Sequence, residues 1–123
     1  MYTHKVLIAS QSSELIEKTV TFLSKYNNLN IKTVSPYTFK ILNYVSKFNP
    51  DLIICDDYPP LINCRFELLN NIKKISPSSI KIIFSNSPPN EYRIECLNQG
   101  ANILIDESKE LEYLSFVFDQ ILN

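Results

Sequence analysis

Residues 50–60 have the sequence PDLIICDDYPP, a short apolar run that ends in two carboxylates and a proline stop. A run this short and this rich in β-branched residues is typical of a buried parallel strand rather than of a helix. Its carboxyl end delivers Asp56 to the edge of the sheet. In open parallel α/β sheets, that edge is where ligands bind. Any functional interpretation of the chain therefore depends first on Asp56.

Strand-like and helix-like periods alternate from this stretch to both ends of the chain. Apolar runs predict strands at residues 6–9, 30–34, 51–55, 80–85 and 102–105. Helices are predicted to begin at Ser12 or Ser13, at Ser35-Pro36, near Cys64, at Asn90 and after Ser108, and to end near residues 26, 47, 75, 99 and the C-terminus. Gly100, the one glycine of the chain, is predicted to terminate the fourth helix. Alternation with short connections implies a parallel sheet with helices on both faces.

Aromatic residues divide between core and surface in this scheme. On the last helix one apolar arc predicts the core face, formed by Leu111, Leu114, Val117, Phe118, Ile121 and Leu122. Phe116 lies outside this arc and Tyr113 lies at its border, so both are candidates for an exposed interface. Tyr37, Phe39 and Tyr44 on the predicted second helix are interpreted as core and boundary residues rather than as a base-stacking platform.

Composition indicates one ordinary globular domain covering residues 1–123. Apolar residues make up 45% and charged residues 20% of the sequence, which is enough to bury a core. The formal net charge of −1 gives no electrostatic reason to expect direct contact with nucleic acid or a membrane. No apolar run approaches the roughly 20 residues that span a bilayer, and the N-terminus has no signal-peptide pattern. We therefore expect a cytoplasmic protein.

Several catalytic chemistries are excluded by residue counts. A single glycine rules out glycine-rich phosphate loops, and a single histidine, His4, leaves no convincing Ser-His-Asp or Cys-His arrangement. The three cysteines, Cys55, Cys64 and Cys96, are far apart and predict neither a zinc site nor a disulfide framework. The chain is therefore not expected to be an enzyme.

Over nearly its whole length the chain resembles the receiver domain of bacterial two-component response regulators. Residues 50–60 are similar to that family's Pro-Asp pair, apolar run, phospho-acceptor aspartate and following proline, which makes Asp56 the phospho-acceptor candidate. Ser85 matches the Ser or Thr that binds a phosphoryl oxygen, and Gly100-Ala101 matches the Gly-Ala pair before the fifth strand. The resemblance implies a flavodoxin-like, doubly wound α/β fold: a five-stranded parallel sheet of order 2-1-3-4-5 with five helices, in a three-layer sandwich.

The chain also departs from the family at several functional positions. Ser10 and Gln11 stand where the family has two acidic residues that help to hold magnesium. Glu107, with Asp106 beside it, stands where the family has a lysine that pairs with the phosphoryl group. Leu104 occupies the position of the aromatic switch residue. The glycine that the family places after the acceptor aligns with Cys64, with an apparent one-residue insertion.

These substitutions predict impaired magnesium-dependent phosphorylation of Asp56. Phosphoryl transfer depends on charge compensation, and magnesium prefers several oxygen ligands that include carboxylates. Ser10 and Gln11 offer only neutral oxygens, so Asp56 remains as the acidic ligand of a weak magnesium site, the one cofactor that the resemblance implies. Replacing lysine by Glu107 turns attraction for phosphate into repulsion. A different possibility is that Glu107 joins Asp56 in holding a divalent cation.

The resemblance implies signal transduction through protein–protein contacts. The expected partner is a histidine kinase or an output protein, and a homodimer through the last helix would use Tyr113 and Phe116. One alternative is a working phospho-receiver in which Asp56 controls an attached or separate output, such as a DNA-binding domain. Another alternative, from a different class, is a flavodoxin-like module that binds a small molecule or cofactor at the same sheet edge.

Overall fold

The structure, a computed structural model, describes residues 3–56 and 62–122, without the side chains of residues 62–65. These residues form five strands and five helices in strict alternation. In chain order the elements are β1 (His4–Ala9), α1 (Ser13–Leu23), β2 (Leu29–Val34), α2 (Thr38–Phe48), β3 (Leu52–Asp56), α3 (Ile62–Ile75), β4 (Ile80–Ser85), α4 (Asn90–Asn98), β5 (Ile103–Asp106) and α5 (Tyr113–Leu122).

All five strands are parallel and lie in the order β2-β1-β3-β4-β5, so the predicted fold and strand order are confirmed. Residues on β3 are buried throughout, because helices cover both faces of the sheet. Alternate strand residues enter two core layers, of which one lies against α2, α3 and α4 and the other against α1 and α5. This arrangement brings the carboxyl ends of all the strands to one edge of the sheet.

Local capping explains several helix boundaries. The Ser12 hydroxyl accepts a hydrogen bond from the backbone N–H of Leu15 at 3.2 Å, so Ser12, rather than Ser13, caps α1. Gly100 has a φ of +125°, and Ala101 N–H donates to the Cys96 carbonyl at 2.9 Å. This backbone geometry terminates α4 at the glycine, as predicted.

The predicted start of α2 was wrong. The helix begins at Thr38 after an extended Tyr37, whereas Ser35 was expected to cap it and Pro36 to occupy its first turn. Pro36 is buried, so it packs within the β2–α2 connection instead of opening the helix.

The predicted start of α5 was also wrong. Ser108 does not cap the helix, which begins five residues later at Tyr113. Both the backbone N–H and the hydroxyl of Ser108 donate to the Asp106 carboxylate, so the chain forms turns before it enters the helix.

The interpretation of the α2 aromatics as core and boundary residues needs correction. Phe39 is 78% exposed, and Tyr37 and Tyr44 are also exposed. The buried stripe of α2 consists of Ile41 and Val45, one helical turn apart, and the aromatic residues lie off this stripe.

In the described part of the chain, no helix is long and apolar enough to cross a membrane.

Candidate functional site

Four of the predicted site residues lie at the carboxyl edge of the sheet. Ser10 follows β1, Asp56 ends β3, Ser85 ends β4 and Glu107 follows β5. Asp56 is the register partner of Phe84, the residue before Ser85, so the acceptor candidate and the hydroxyl candidate end adjacent strands. Parallel pairing of these strands therefore assembles the candidate site that the sequence predicted.

The Asp56 carboxylate is bonded to Ser10. The Ser10 hydroxyl donates to Asp56 Oδ2 at 2.5 Å and accepts the backbone N–H of Ser12 at 3.0 Å. Ser10 and Asp56 are each only 6% exposed. Because buried polar groups need partners, this pair of bonds holds the Ser10 hydroxyl between the start of α1 and the carboxylate. Ser10 is uncharged, so it does not neutralise the charge of Asp56. Its hydroxyl provides a hydrogen bond to one oxygen of that carboxylate.

Gln11, at the second acidic-pair position, is engaged elsewhere. Its side-chain amide nitrogen donates to the Tyr37 hydroxyl at 3.2 Å, on the exposed surface before α2. Of the two positions that the family fills with acidic residues, Ser10 is therefore the one seen bonded to Asp56.

Asp106 is a second buried carboxylate at this edge, and the sequence interpretation gave it no role. It ends β5 as the register partner of Ser85. Its Oδ1 accepts the Ser108 hydroxyl at 2.7 Å and the backbone N–H groups of Ser87 and Ser108, each at 3.0 Å. These bonds, led by the Ser108 hydroxyl and aided by the charge of Lys109, lower the pKa of Asp106 despite its burial. The Asp-Glu-Ser sequence, an Asx-turn pattern, was the available signal.

Opposite charges, Glu107 after β5 and Lys18 on α1, lie beside each other near the candidate site. Glu14 raises the pKa of Lys18 through a 2.9 Å ion pair, and the charge of Glu107 adds to that effect. These three residues, with Ser12 and Asn86, line a groove of about 200 Å³.

Among the described residues, the donors at this edge fit a magnesium ion poorly. In the ranges 3–56 and 62–122, no three His, Cys, Asp or Glu side chains lie close enough together to hold a metal. Asp56 is bonded to Ser10, and Asp106 is bonded to Ser87 and Ser108. Magnesium needs several oxygen ligands in octahedral geometry. The neighbouring Asp57 and the predicted Pro60 lie outside the described residues, as does the side chain of Cys64.

Leu104, at the switch position, is buried in the core layer against α2, α3 and α4. Its backbone carbonyl accepts a hydrogen bond from Arg93 of α4 at 3.3 Å, and Arg93 also pairs with Glu110 at 3.1 Å. These contacts tie α4 and the β5–α5 connection to the edge strand. An aliphatic side chain at this position has no polar group that could form a hydrogen bond with the site.

The two interface candidates of the last helix lie on its outer face. Tyr113 is 60% and Phe116 is 62% exposed, whereas Leu114 and Phe118 are fully buried. The division between core and surface predicted for α5 is therefore confirmed.

Comparison with known proteins identifies the architecture. No family model matches the sequence, and no curated protein matches it. A response regulator from Hahella chejuensis is similar in structure, with a TM-score of 0.84 and 20% identity over 98% of this chain and 96% of that chain. A response regulator from Thermotoga maritima gives a TM-score of 0.82 and 17% identity, with 98% of each chain covered. An orphan response regulator of H. pylori gives 0.76 and 18%, over 98% and 97% of the two chains. This chain therefore has the fold of the response regulator receiver domain.

Proposed function

We propose that this chain is a receiver-type signalling domain that acts through protein–protein contacts and whose magnesium-dependent phosphorylation at Asp56 is impaired. The observation that carries the proposal is the 2.5 Å bond from the Ser10 hydroxyl to Asp56. A neutral hydroxyl stands where the related fold places carboxylates for a metal ion. It satisfies the acceptor carboxylate without supplying the positive charge that phosphoryl transfer needs.

The charge at the end of β5 supports the same proposal. Glu107 follows the strand at the position of the family's lysine, and its backbone N–H is bonded to the Ser85 carbonyl at 2.8 Å. A carboxylate there would repel an incoming phosphoryl group. Lys18 is the cation among the residues that line the groove, but it is exposed on α1 and paired with Glu14, so solvent and its partner screen its charge.

The exposed aromatic residues of α5 support a role in protein contacts. Tyr113 and Phe116 lie on the outer face of α5, and Ile94 on α4 is similarly exposed. The expected partner is a signalling protein, either a histidine kinase or an output protein, in the cytoplasm.

Intact-mass spectrometry after incubation with acetyl phosphate and magnesium tests the proposal. We expect little or no phosphoryl adduct on the wild-type chain. The triple variant Ser10→Asp, Gln11→Asp, Glu107→Lys restores the acidic pair and the lysine, and we expect it to acquire one adduct. Adding Asp56→Asn to that variant must abolish the adduct, which identifies the modified residue.

A wild-type adduct that requires magnesium and disappears in Asp56→Asn would overturn the proposal. It would establish the rival function, a working phospho-receiver that controls an output. Circular dichroism of each variant checks that the changes at this buried edge leave the fold intact.

The alternative function, binding of a small molecule or cofactor at the carboxyl edge of the sheet, is less well supported. The groove lined by Ser12, Lys18 and Glu107 has a volume of about 200 Å³. Ligand pockets usually measure about 300 Å³ or more. This groove is therefore small for a flavin-sized cofactor.

A further inference from the structure

Charge is distributed unevenly along this nearly neutral chain. Between Glu17 and Asp51 the sequence contains no acidic residue and five lysines, namely Lys18, Lys25, Lys32, Lys40 and Lys47. Lys18 lies on α1 and pairs with Glu14. Lys25 lies just after α1 and pairs with Asp119. The other three lie on β2 and α2, and none of them forms an ion pair with a described residue. Three lysines without an ion pair to a described residue therefore lie on β2 and α2, in a stretch of sequence that has no acidic residue.

Exposed aromatic side chains lie on α2, which also carries two of these lysines. We call Lys32, Phe39, Lys40, Tyr44 and Lys47 the basic face. All five side chains are exposed, and Phe39 is the most exposed large hydrophobic residue of the described chain. On α2, residues 40, 44 and 47 are spaced four and three apart, so they share one side of the helix. Lys32, Tyr44 and Lys47 also line a common groove of about 330 Å³ between β2 and α2.

The opposite edge of the sheet has the complementary composition. We call Glu91 and Ile94 of α4, together with Glu112, Tyr113 and Phe116 at α5, the acidic face. All five side chains are exposed, and the two helices flank the edge strand β5. Neither glutamate forms an ion pair with a described residue. Five strands separate the two edges by roughly 19 Å at the usual strand spacing, so the two faces lie towards opposite ends of the sheet.

We infer that the basic face docks onto the acidic face of a second copy of this chain. Each face combines exposed aromatic or apolar side chains with charges of one sign, and the signs are opposite. A symmetric dimer through the acidic face would place like charges opposite one another, which disfavours self-pairing. Arg93 does not relieve this repulsion because it is bonded to Glu110, and Lys109 offsets it only in part.

Contact between two different faces produces a heterologous, head-to-tail association. Such contacts lead to rings or open chains rather than to closed two-fold dimers. The charged residues set the orientation, while Phe39 and Tyr44 meet Tyr113 and Phe116 and contribute the apolar contact. Because the ion pairs are exposed, the association is weak and is reduced by salt.

This inference rests on the proposed function in one respect, since it uses the α5 surface assigned there to protein contacts. It does not depend on the phosphorylation state of Asp56. The phosphodonor experiment and the association experiment below can therefore fail separately.

Sedimentation velocity over a range of protein concentrations, at low and at high salt, tests the inference. We expect reversible self-association that high salt abolishes. The double variants Lys40→Glu, Lys47→Glu and Glu91→Lys, Glu112→Lys should each weaken self-association by about tenfold or more. Mixing the two variants should restore association, because each altered face then meets a face of opposite charge. The quadruple variant should also recover self-association.

The double variant Lys73→Glu, Lys74→Glu reverses two exposed lysines on α3 and is the matched control, for which we expect no change. Absence of concentration-dependent association in the wild type would overturn the inference. Loss in the Glu91, Glu112 variant alone would also overturn it, because a symmetric contact through the acidic face would then be indicated. Binding of the wild type to phosphatidylserine vesicles, with no self-association, would assign the basic face to an anionic membrane instead.

Discussion

At the scale of single residues, Ser10 shows how a buried carboxylate at the sheet edge is satisfied by a neutral donor. A carboxylate as buried as Asp56 needs a donor, because an unpaired buried charge is strongly unfavourable. The Ser10 hydroxyl provides this donor and is itself held by the Ser12 N–H. This hydrogen bond stabilises the carboxylate but adds no positive charge, and under the proposed function the charge compensation for phosphoryl transfer is therefore reduced.

We therefore predict that magnesium binding near Asp56 is weaker than in an ordinary receiver domain. The double variant Ser10→Asp, Gln11→Asp should bind magnesium at least about tenfold more tightly, because affinity rises with the number of charged oxygen ligands. Isothermal titration calorimetry measures both constants. Tight binding by the wild type that vanishes in Asp56→Asn would contradict the prediction, would identify Asp56 as a ligand and would leave Glu107 as a candidate for a second carboxylate ligand.

Asp106 provides a prediction on pH. Its folded-state pKa is lowered, first by the Ser108 hydroxyl. Its ionised form therefore stabilises the fold above the unfolded-state pKa of about 4, and this contribution is lost as the pH falls through the lowered folded-state pKa. We expect wild type to be more stable than Asp106→Asn at pH 7, and the difference between them to shrink in acid.

Urea unfolding of both proteins at neutral and acidic pH measures this difference. Ser108→Ala is the companion variant, because it removes the strongest donor and should move the acid loss to higher pH. If the difference in free energy of unfolding between wild type and Asp106→Asn does not depend on pH, the charge of the carboxylate does not contribute to stability, and the prediction is contradicted.

At the scale of elements, local signals predicted the strands and the end of α4, but not every helix start. The strand runs and the Gly100 turn depend on neighbouring residues, so the sequence alone specifies them. The start of α5 depends on which partner Ser108 binds. Its hydroxyl donates to the Asp106 carboxylate and therefore does not cap the helix. The start of α2 depends on the burial of Pro36, a tertiary effect. Phe39 lies about 200° around α2 from Ile41, so helical periodicity agrees with its exposure, and the interpretation as a core or boundary residue did not apply that periodicity.

The C-terminus of α4 provides a prediction on stability. Gly100→Ala should lower the free energy of unfolding by about 1–2 kcal/mol, because its φ of +125° is strained for any L side chain. Space is not the obstacle, since an added Cβ would lie 3.5 Å from the Leu69 carbonyl oxygen, an ordinary contact. Urea unfolding measures the change. Asn98→Ala, at the exposed end of the same helix, is the control and should change stability by less than about 0.5 kcal/mol; an equal loss in both variants would contradict the prediction.

At the scale of the whole molecule, parallel topology made the composition of the site edge predictable. Any doubly wound sheet of this order gathers the ends of β1, β3, β4 and β5, so Ser10, Asp56, Ser85 and Glu107 could be grouped from the sequence. Side-chain pairing could not be predicted in this way. The choice of Ser10 over Gln11 as the partner of Asp56 depends on how α1 and α2 pack, and the proximity of Lys18 to Glu107 depends on contacts distant in sequence.

The packing of the whole molecule also determines whether a change at Asp56, at the carboxyl edge of the sheet, can alter the α4–α5 surface. A signal at Asp56 can shift a conformational equilibrium only if it binds one state more tightly than the other. Leu104 lies between the site and the α4–α5 surface, but it is buried and aliphatic, and its carbonyl is held by Arg93. We therefore expect the state of Asp56 and the contacts of α5 to be nearly independent.

The last prediction separates these two parts of the molecule. Asp56→Ala should leave self-association and partner binding nearly unchanged, whereas Tyr113→Ala or Phe116→Ala should weaken them, because truncating an exposed aromatic anchor removes apolar contact area. Sedimentation velocity measures self-association, and urea unfolding checks that each variant folds. A loss confined to Asp56→Ala would restore a phospho-switch in which the site controls the surface. Full retention in all three variants would remove α5 from the interface, and with it the acidic face as a docking surface.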